Sequence, residues 1–164
     1  MANVLTRVEE EQEDTLKGRF LTFLISKEVY GIEIRFVTEI VSMQAITEMP
    51  EMPHYIKGII NLRGIIIPVM DVRLRFGKEP RDYDDRTCVI VIDFNGVSIG
   101  LIVDSVSEVL TIPEQDIAQL PGIHMGQSNR FVKSIGKVNA NVILLIDCQK
   151  LLTGEDLEII SAQL

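Results

Sequence analysis

Three features of the sequence predict an all-β chain built as two small barrels side by side. Its apolar segments are short, rich in β-branched residues and separated by turn residues. The sequence repeats itself once, and helix signals are few.

The segments Phe20–Ile25, Ile65–Met70, Val89–Asp93, Ile99–Val103 and Val142–Ile146 have the length and composition of strands. In Tyr30-Gly-Ile32-Glu-Ile34 apolar and other residues alternate, as a half-buried strand requires. The repeat places Gly31 on Gly100, a displacement of 69 residues. Phe20 then falls on Val89, Phe23 on Ile92, Ile32 on Leu101, Ile34 on Val103, Val37 on Val106, Glu39 on Glu108 and Ile40 on Val109, with no gap. Further on, Asp71 falls on Asp147 at a displacement of 76, and Ile66-Ile67-Pro68-Val69-Met70 matches Val142-Ile143-Leu144-Leu145-Ile146. The second copy therefore carries seven extra residues, for which Pro121–Ser128 is the candidate loop.

The copies span about 20–76 and 88–152, joined by the polar stretch Lys78–Arg86. A barrel of about 60 residues buries too little surface to be stable alone, so the two should share an apolar interface. The sequence leaves open whether they exchange strands. Residues 1–18, with Glu9, Glu10, Glu11, Glu13 and Asp14, read as a flexible acidic tail. Thr153-Gly-Glu-Asp156 reads as the start of a C-terminal helix over 154–164, with Leu157, Ile160 and Leu164 on one face.

Composition narrows the function. Of 164 residues, 46% are hydrophobic but only 5% aromatic, so the core is aliphatic. A net charge of −8 opposes binding to nucleic acid or anionic lipid, and the 16 basic residues are scattered. No apolar run is long enough to span a membrane and the N-terminus is too polar for a signal peptide, which points to the cytosol. Cys88 and Cys148 lie among apolar residues and read as small core hydrophobes. His54 and His124 have no second ligand at metal spacing and read as loop histidines, so no metal or cofactor is expected. No phosphate loop or nucleophile motif is present. Asp71 and Asp147 each follow an apolar run at matching places, which suits a strand-end or turn role better than a catalytic pair.

What remains is surface for partners. In Lys57-Gly58-Ile-Ile-Asn61-Leu62-Arg63-Gly64, Asn61–Gly64 is a turn between apolar strands with Arg63 at its tip. The second copy has Asn139-Ala140 in place of Arg63-Gly64, which suggests that one copy is specialised. Glu39, a charge in the apolar segment Phe36–Val41, should have a partner, and Arg63 is a candidate.

Three strings, Tyr30-Gly31-Ile32-Glu-Ile34, Val37-Thr-Glu39-Ile40 and Ile56-Lys57-Gly58 through Asn61-Leu62-Arg63-Gly64 to Pro68-Val69-Met-Asp71, together resemble the CheW family of chemotaxis coupling proteins. So does Val97-Ser-Ile-Gly100-Leu-Ile-Val103-Asp104-Ser-Val106-Ser-Glu108-Val109-Leu110, and the likeness runs from about Phe20 to Leu152. The resemblance implies two packed SH3-like five-stranded β-barrels with few short helices. It implies a non-catalytic adaptor, without cofactor, that joins the cytoplasmic tips of transmembrane chemoreceptors to the regulatory domain of the histidine kinase CheA. By matching position, a receptor-binding groove between the barrels would involve Ile34, Val37, Ile99, Gly100, Val103 and Val106, with Glu39 and Arg63 as an opposite-charge pair beside it. Gly58 and Cys88 would lie in areas of kinase contact, although Cys88 replaces an expected aliphatic residue. The adaptor CheV adds a receiver domain, which this chain, ending at Leu164, does not carry. An excised CheA regulatory domain and a small β-barrel enzyme or ligand-binding protein are the other readings.

Overall fold

The structure is a computed structural model and describes residues 16–94, 96–119, 128–152 and 154–163. The expected acidic tail, the extra loop of the second copy, Thr153 and Leu164 thus lie wholly or mostly outside the described residues. Strands dominate, in the order β1 (Arg19–Ile25), β2 (Glu28–Glu33), β3 (Val37–Ser42), β4 (Ile56–Leu62), β5 (Ile65–Asp71), β6 (Cys88–Phe94), β7 (Val97–Val103), β8 (Ser105–Thr111), β9 (Ile117–Gln119), β10 (Val132–Val138) and β11 (Asn141–Ile146). The helices are α1 (Val72–Arg75), α2 (Cys148–Leu151) and α3 (Gly154–Gln163).

The repeat is real, but its copies are not the structural units. One sheet has six strands in the order β8-β1-β2-β11-β10-β9, the other five in the order β3-β6-β7-β5-β4. Each first hairpin has crossed over. β1–β2 joins the sheet of the second copy, and β6–β7 joins that of the first. The question of strand exchange, open in the sequence, is thus answered: each sheet draws strands from both 20–76 and 88–152. The sheets are curled, SH3-like layers rather than closed barrels.

The crossing points are parallel pairings, with Tyr30 and Gly31 beside Leu144 and Leu145, and Val69 and Met70 beside Gly100 and Leu101. Glycine is required there for space. A Cβ on Gly31 would meet Leu145 Cδ2 at 2.9 Å, and one on Gly100 would meet Val89 Cγ1 at 2.7 Å and Val69 Cγ1 at 2.9 Å. A methyl group at either site would wedge the exchanged hairpin off its host sheet.

Strand alternation then builds three cores. Phe20, Ile112, Ile143 and Leu145 fill the six-stranded sheet, while Ile60, Leu62, Ile67, Val69, Val89, Val91 and Ile102 fill the five-stranded one. The opposite faces of both sheets meet in a larger shared core, where Leu21, Phe23, Tyr30 and Ile32 pack with their repeat mates Ile90, Ile92, Ile99 and Leu101. This is the apolar interface expected of two barrels too small to stand alone. Asp71 and Asp147 cap α1 and α2, accepting from the backbone N–H of Leu74 and Gln149, which is the repeated turn role expected of them. On α3, Ile160 is buried and Leu157 packs against the shared core.

Candidate interaction surface

The β4–β5 hairpin turns through a two-residue loop, Arg63-Gly64, between paired Leu62 and Ile65. Both loop residues have positive φ, 51° and 86°, the conformation that matches the twist of the flanking strands. Asn61 Oδ1 accepts from the Gly64 N–H at 2.8 Å and fixes the turn. Arg63 is thereby held at the tip. Its Nη2 donates to both carboxylate oxygens of Glu39, at 2.6 and 2.8 Å. Glu39 lies on β3, the opposite edge of the sheet from β4, so the pair spans the mouth of the curled layer. In the other copy the mates are Glu108 and Asn139, and no cation faces the carboxylate among the described residues. Arg63 is 70% exposed and Glu39 32% exposed, so the pair is presented to solvent rather than sealed in the fold.

Three of the residues expected in the groove are partly exposed. Ile34, Val37 and Val106 each pack on the shared core while keeping surface open. The structure corrects three expected members of the groove: Ile99 is 0% exposed, Val103 is 1% exposed and Gly100 is buried. The reason is the position of β7, which lies between β6 and β5 with a core on each face. Ile99 and Val103 belong to the shared core on which Ile34, Val37 and Val106 pack, whereas Gly100 faces the other core, beside Val69 and Val89. Sequence reasoning missed Phe36, Phe94 and Val97, which are partly exposed on the shared core. The Phe36 and Phe94 rings lie 6.1 Å apart, and the Arg35 guanidinium sits 4.6 Å from the Phe36 centroid. One signal was available, an aromatic residue at the very end of an apolar strand, before a polar turn. The repeat mate of Phe94, Ile25, is 0% exposed.

Close by, Glu33 joins Arg35 at 2.8 Å and Lys133 at 2.7 Å. Burial alone would raise the Glu33 pKa, but hydrogen bonds and charge from Lys133 and Arg35 outweigh it and hold the carboxyl below its ordinary value.

The two residues expected at kinase contact differ in kind. Gly58 has φ 146°, and a Cβ there would fall 2.1 Å from the Thr47 carbonyl oxygen. It sits at the bulge where Thr47 bridges to Ile59, so a backbone need explains it without any partner. Cys88 opens β6 half-buried, with its Sγ 3.2 Å from the Arg86 carbonyl oxygen. Cys148 is a core residue, and burial pushes its thiol pKa up to about 12. His54 stacks edge-on against Tyr55 at 5.4 Å, whereas His124 lies outside the described residues. Among the described residues no group of His, Cys, Asp or Glu could hold a metal, and no helix is long and apolar enough to cross a membrane.

The family model for the CheW-like domain matches residues 19–156. The chain is 33% identical to a chemotaxis protein CheW of Klebsiella aerogenes, over 90% of this chain and 89% of that one. It is 32% identical to a probable chemotaxis protein CheW of Rhizobium etli, over 84% and 89% respectively. Among solved structures, the scaffolding protein TtCheW from Thermoanaerobacter tengcongensis superposes with a TM-score of 0.78 at 37% identity, covering 85% of this chain and 94% of that one. Family model, relatives and superposition agree: the chain belongs to the CheW-like family of chemotaxis proteins, non-catalytic scaffolds rather than enzymes.

Proposed function

We propose that this chain couples the cytoplasmic tips of transmembrane chemoreceptors to the regulatory domain of the histidine kinase CheA. It would act in the cytoplasm and reach the membrane only through those partners. The observation that carries the reading is the exposed, preorganised ion pair at the β4–β5 hairpin tip, and partly exposed apolar residues of the shared core are available as anchors. Ile34, Val37 and Val106 supply the anchors, and Arg63 is locked to Glu39 by two short hydrogen bonds. A helical receptor tip binds a groove through apolar anchors, and a forked guanidinium at the rim fixes its register. The half-exposed aromatic pair Phe36 and Phe94 adds to these anchors. Cys88, at one end of the five-stranded sheet, is the residue we assign to kinase contact.

The test is co-sedimentation. The chain, intact CheA and receptor-bearing membrane vesicles are mixed in pairs and all together. The reading expects the chain to sediment with receptor vesicles, to carry CheA down with it, and to do neither with empty vesicles. Sedimentation of CheA that is unchanged when the chain is left out would contradict it.

A further inference from the structure

The repeat brings Tyr55 and Phe131 together as mates, 76 residues apart, and a cavity of about 610 Å³ opens beside them. Its walls break the repeat by charge. Arg75, at the end of α1, stands where the other copy has the buried Leu151. The Arg75 guanidinium lies 4.3 Å from the Tyr55 ring centroid and 4.8 Å from that of Phe131, and its side chain is only 8% exposed. Arg75 Nε donates to the Leu151 carbonyl at 2.7 Å and Nη2 to that of Lys150 at 3.5 Å. Arg75 is also one of the residues that line the cavity.

Two more cations line the same space. Arg130 lies 4.6 Å from the Phe131 centroid, and neither it nor Lys150 forms an ion pair among the described residues. Three cations thus face one carboxylate, Asp156 of α3, in a chain whose net charge is −8. Packing does not call for this arrangement, because Leu151 fills the matching position with a hydrocarbon side chain. Burial lowers the Arg75 pKa, so this site holds its charge against the local environment. Asp156 shows what the cavity accepts. Its carboxylate lies 3.8 Å from Arg75 Nη2 and takes a hydrogen bond from the Tyr55 hydroxyl.

We propose that this cavity is a binding site for a compact, multiply charged oxyanion, gripped by Arg75, Arg130 and Lys150. Guanidinium forks present paired donors to the oxygens of a phosphoryl or carboxylate group, and the Gln149 amide adds a neutral donor on the wall. The ligand competes with Asp156 for Arg75, since two anions on one guanidinium repel each other. Binding is thereby linked to the seat of α3.

Isothermal titration of the full chain tests this, with inorganic phosphate, pyrophosphate and citrate as probes at ionic strength fixed with sodium chloride. One saturable site is expected. The phosphate and citrate arms distinguish a phosphoryl ligand from a polycarboxylate. Arg130→Ala combined with Lys150→Ala should weaken binding at least about tenfold, with circular dichroism showing the fold retained, because both residues are exposed. Asp156→Asn keeps an acceptor for Tyr55 but removes the competing charge, and should tighten binding about threefold. Absence of a saturable site with all three probes would overturn the proposal. So would equal binding by the double variant, or weaker binding by Asp156→Asn.

Discussion

Arg63→Ala separates what the Arg63–Glu39 pair does for the fold from what it does for a partner. At 70% and 32% exposure, an ion pair of this kind contributes about 0.2–1 kcal/mol to folding, and salt screens it further. Backbone strain works the other way. Arg63 holds φ at 51°, and a non-glycine residue in that region costs roughly 1–2 kcal/mol. Alanine keeps the strain and loses the pair, so Arg63→Ala should melt no more than about 2–4 °C below the unaltered chain. Glycine loses the pair but relieves the strain, so Arg63→Gly should melt at or slightly above it. A double-mutant cycle with Glu39→Ala should give a coupling below about 1 kcal/mol in the isolated chain. Receptor affinity should fall about tenfold in both Arg63 variants, the equivalent of about 1.4 kcal/mol. Differential scanning calorimetry and titration with a receptor tip fragment supply the two readouts. If both variants melt many degrees lower while their folded fraction binds normally, Arg63 braces its hairpin and the functional assignment fails.

Other substitutions probe the remaining surface. Gly58→Ala should destabilise the chain by more than about 1–3 kcal/mol in denaturant unfolding, because its Cβ meets a backbone carbonyl that cannot rotate aside; near-normal stability would return Gly58 to partner contact. Val106→Asp, half-buried on the shared core, should leave circular dichroism native and abolish receptor binding, whereas global unfolding would make Val106 a core residue. Glu33 has a folded pKa below its unfolded value, so its contribution is present above the unfolded value and is lost as pH falls through the folded one. Denaturation curves over the acid range should therefore show a smaller loss of stability for Glu33→Gln than for the unaltered chain; equal slopes would mean that Lys133 and Arg35 do not stabilise the carboxylate.

Much of this was legible because the two copies keep the same apolar pattern. Phe20 and Val89, or Tyr30 and Ile99, occupy equivalent places in the fold, and Asp71 and Asp147 make the same cap. The exchange of hairpins was not legible. β1–β2 presents the same alternation to either copy, and the choice between them depends on contacts far apart in sequence. The burial of Ile99 and Val103 does have a signal in the sequence. Ile99-Gly-Leu-Ile-Val103 has no polar break, which marks a strand covered on both faces rather than one lining a groove. Arg63 and Glu39 were found because their chemistry departs from the repeat at Asn139 and from the apolar setting of β3. The cluster around Arg75 is not legible in the sequence, because its members come from distant segments and form no spaced motif.

The most direct test of the central claim is CheA autophosphorylation in receptor-bearing vesicles, with and without this chain, in the presence and absence of attractant. The account predicts that the chain raises kinase activity, that attractant then suppresses it, and that both effects vanish when the chain is omitted. Kinase activity and attractant response that are the same with and without the chain would contradict it.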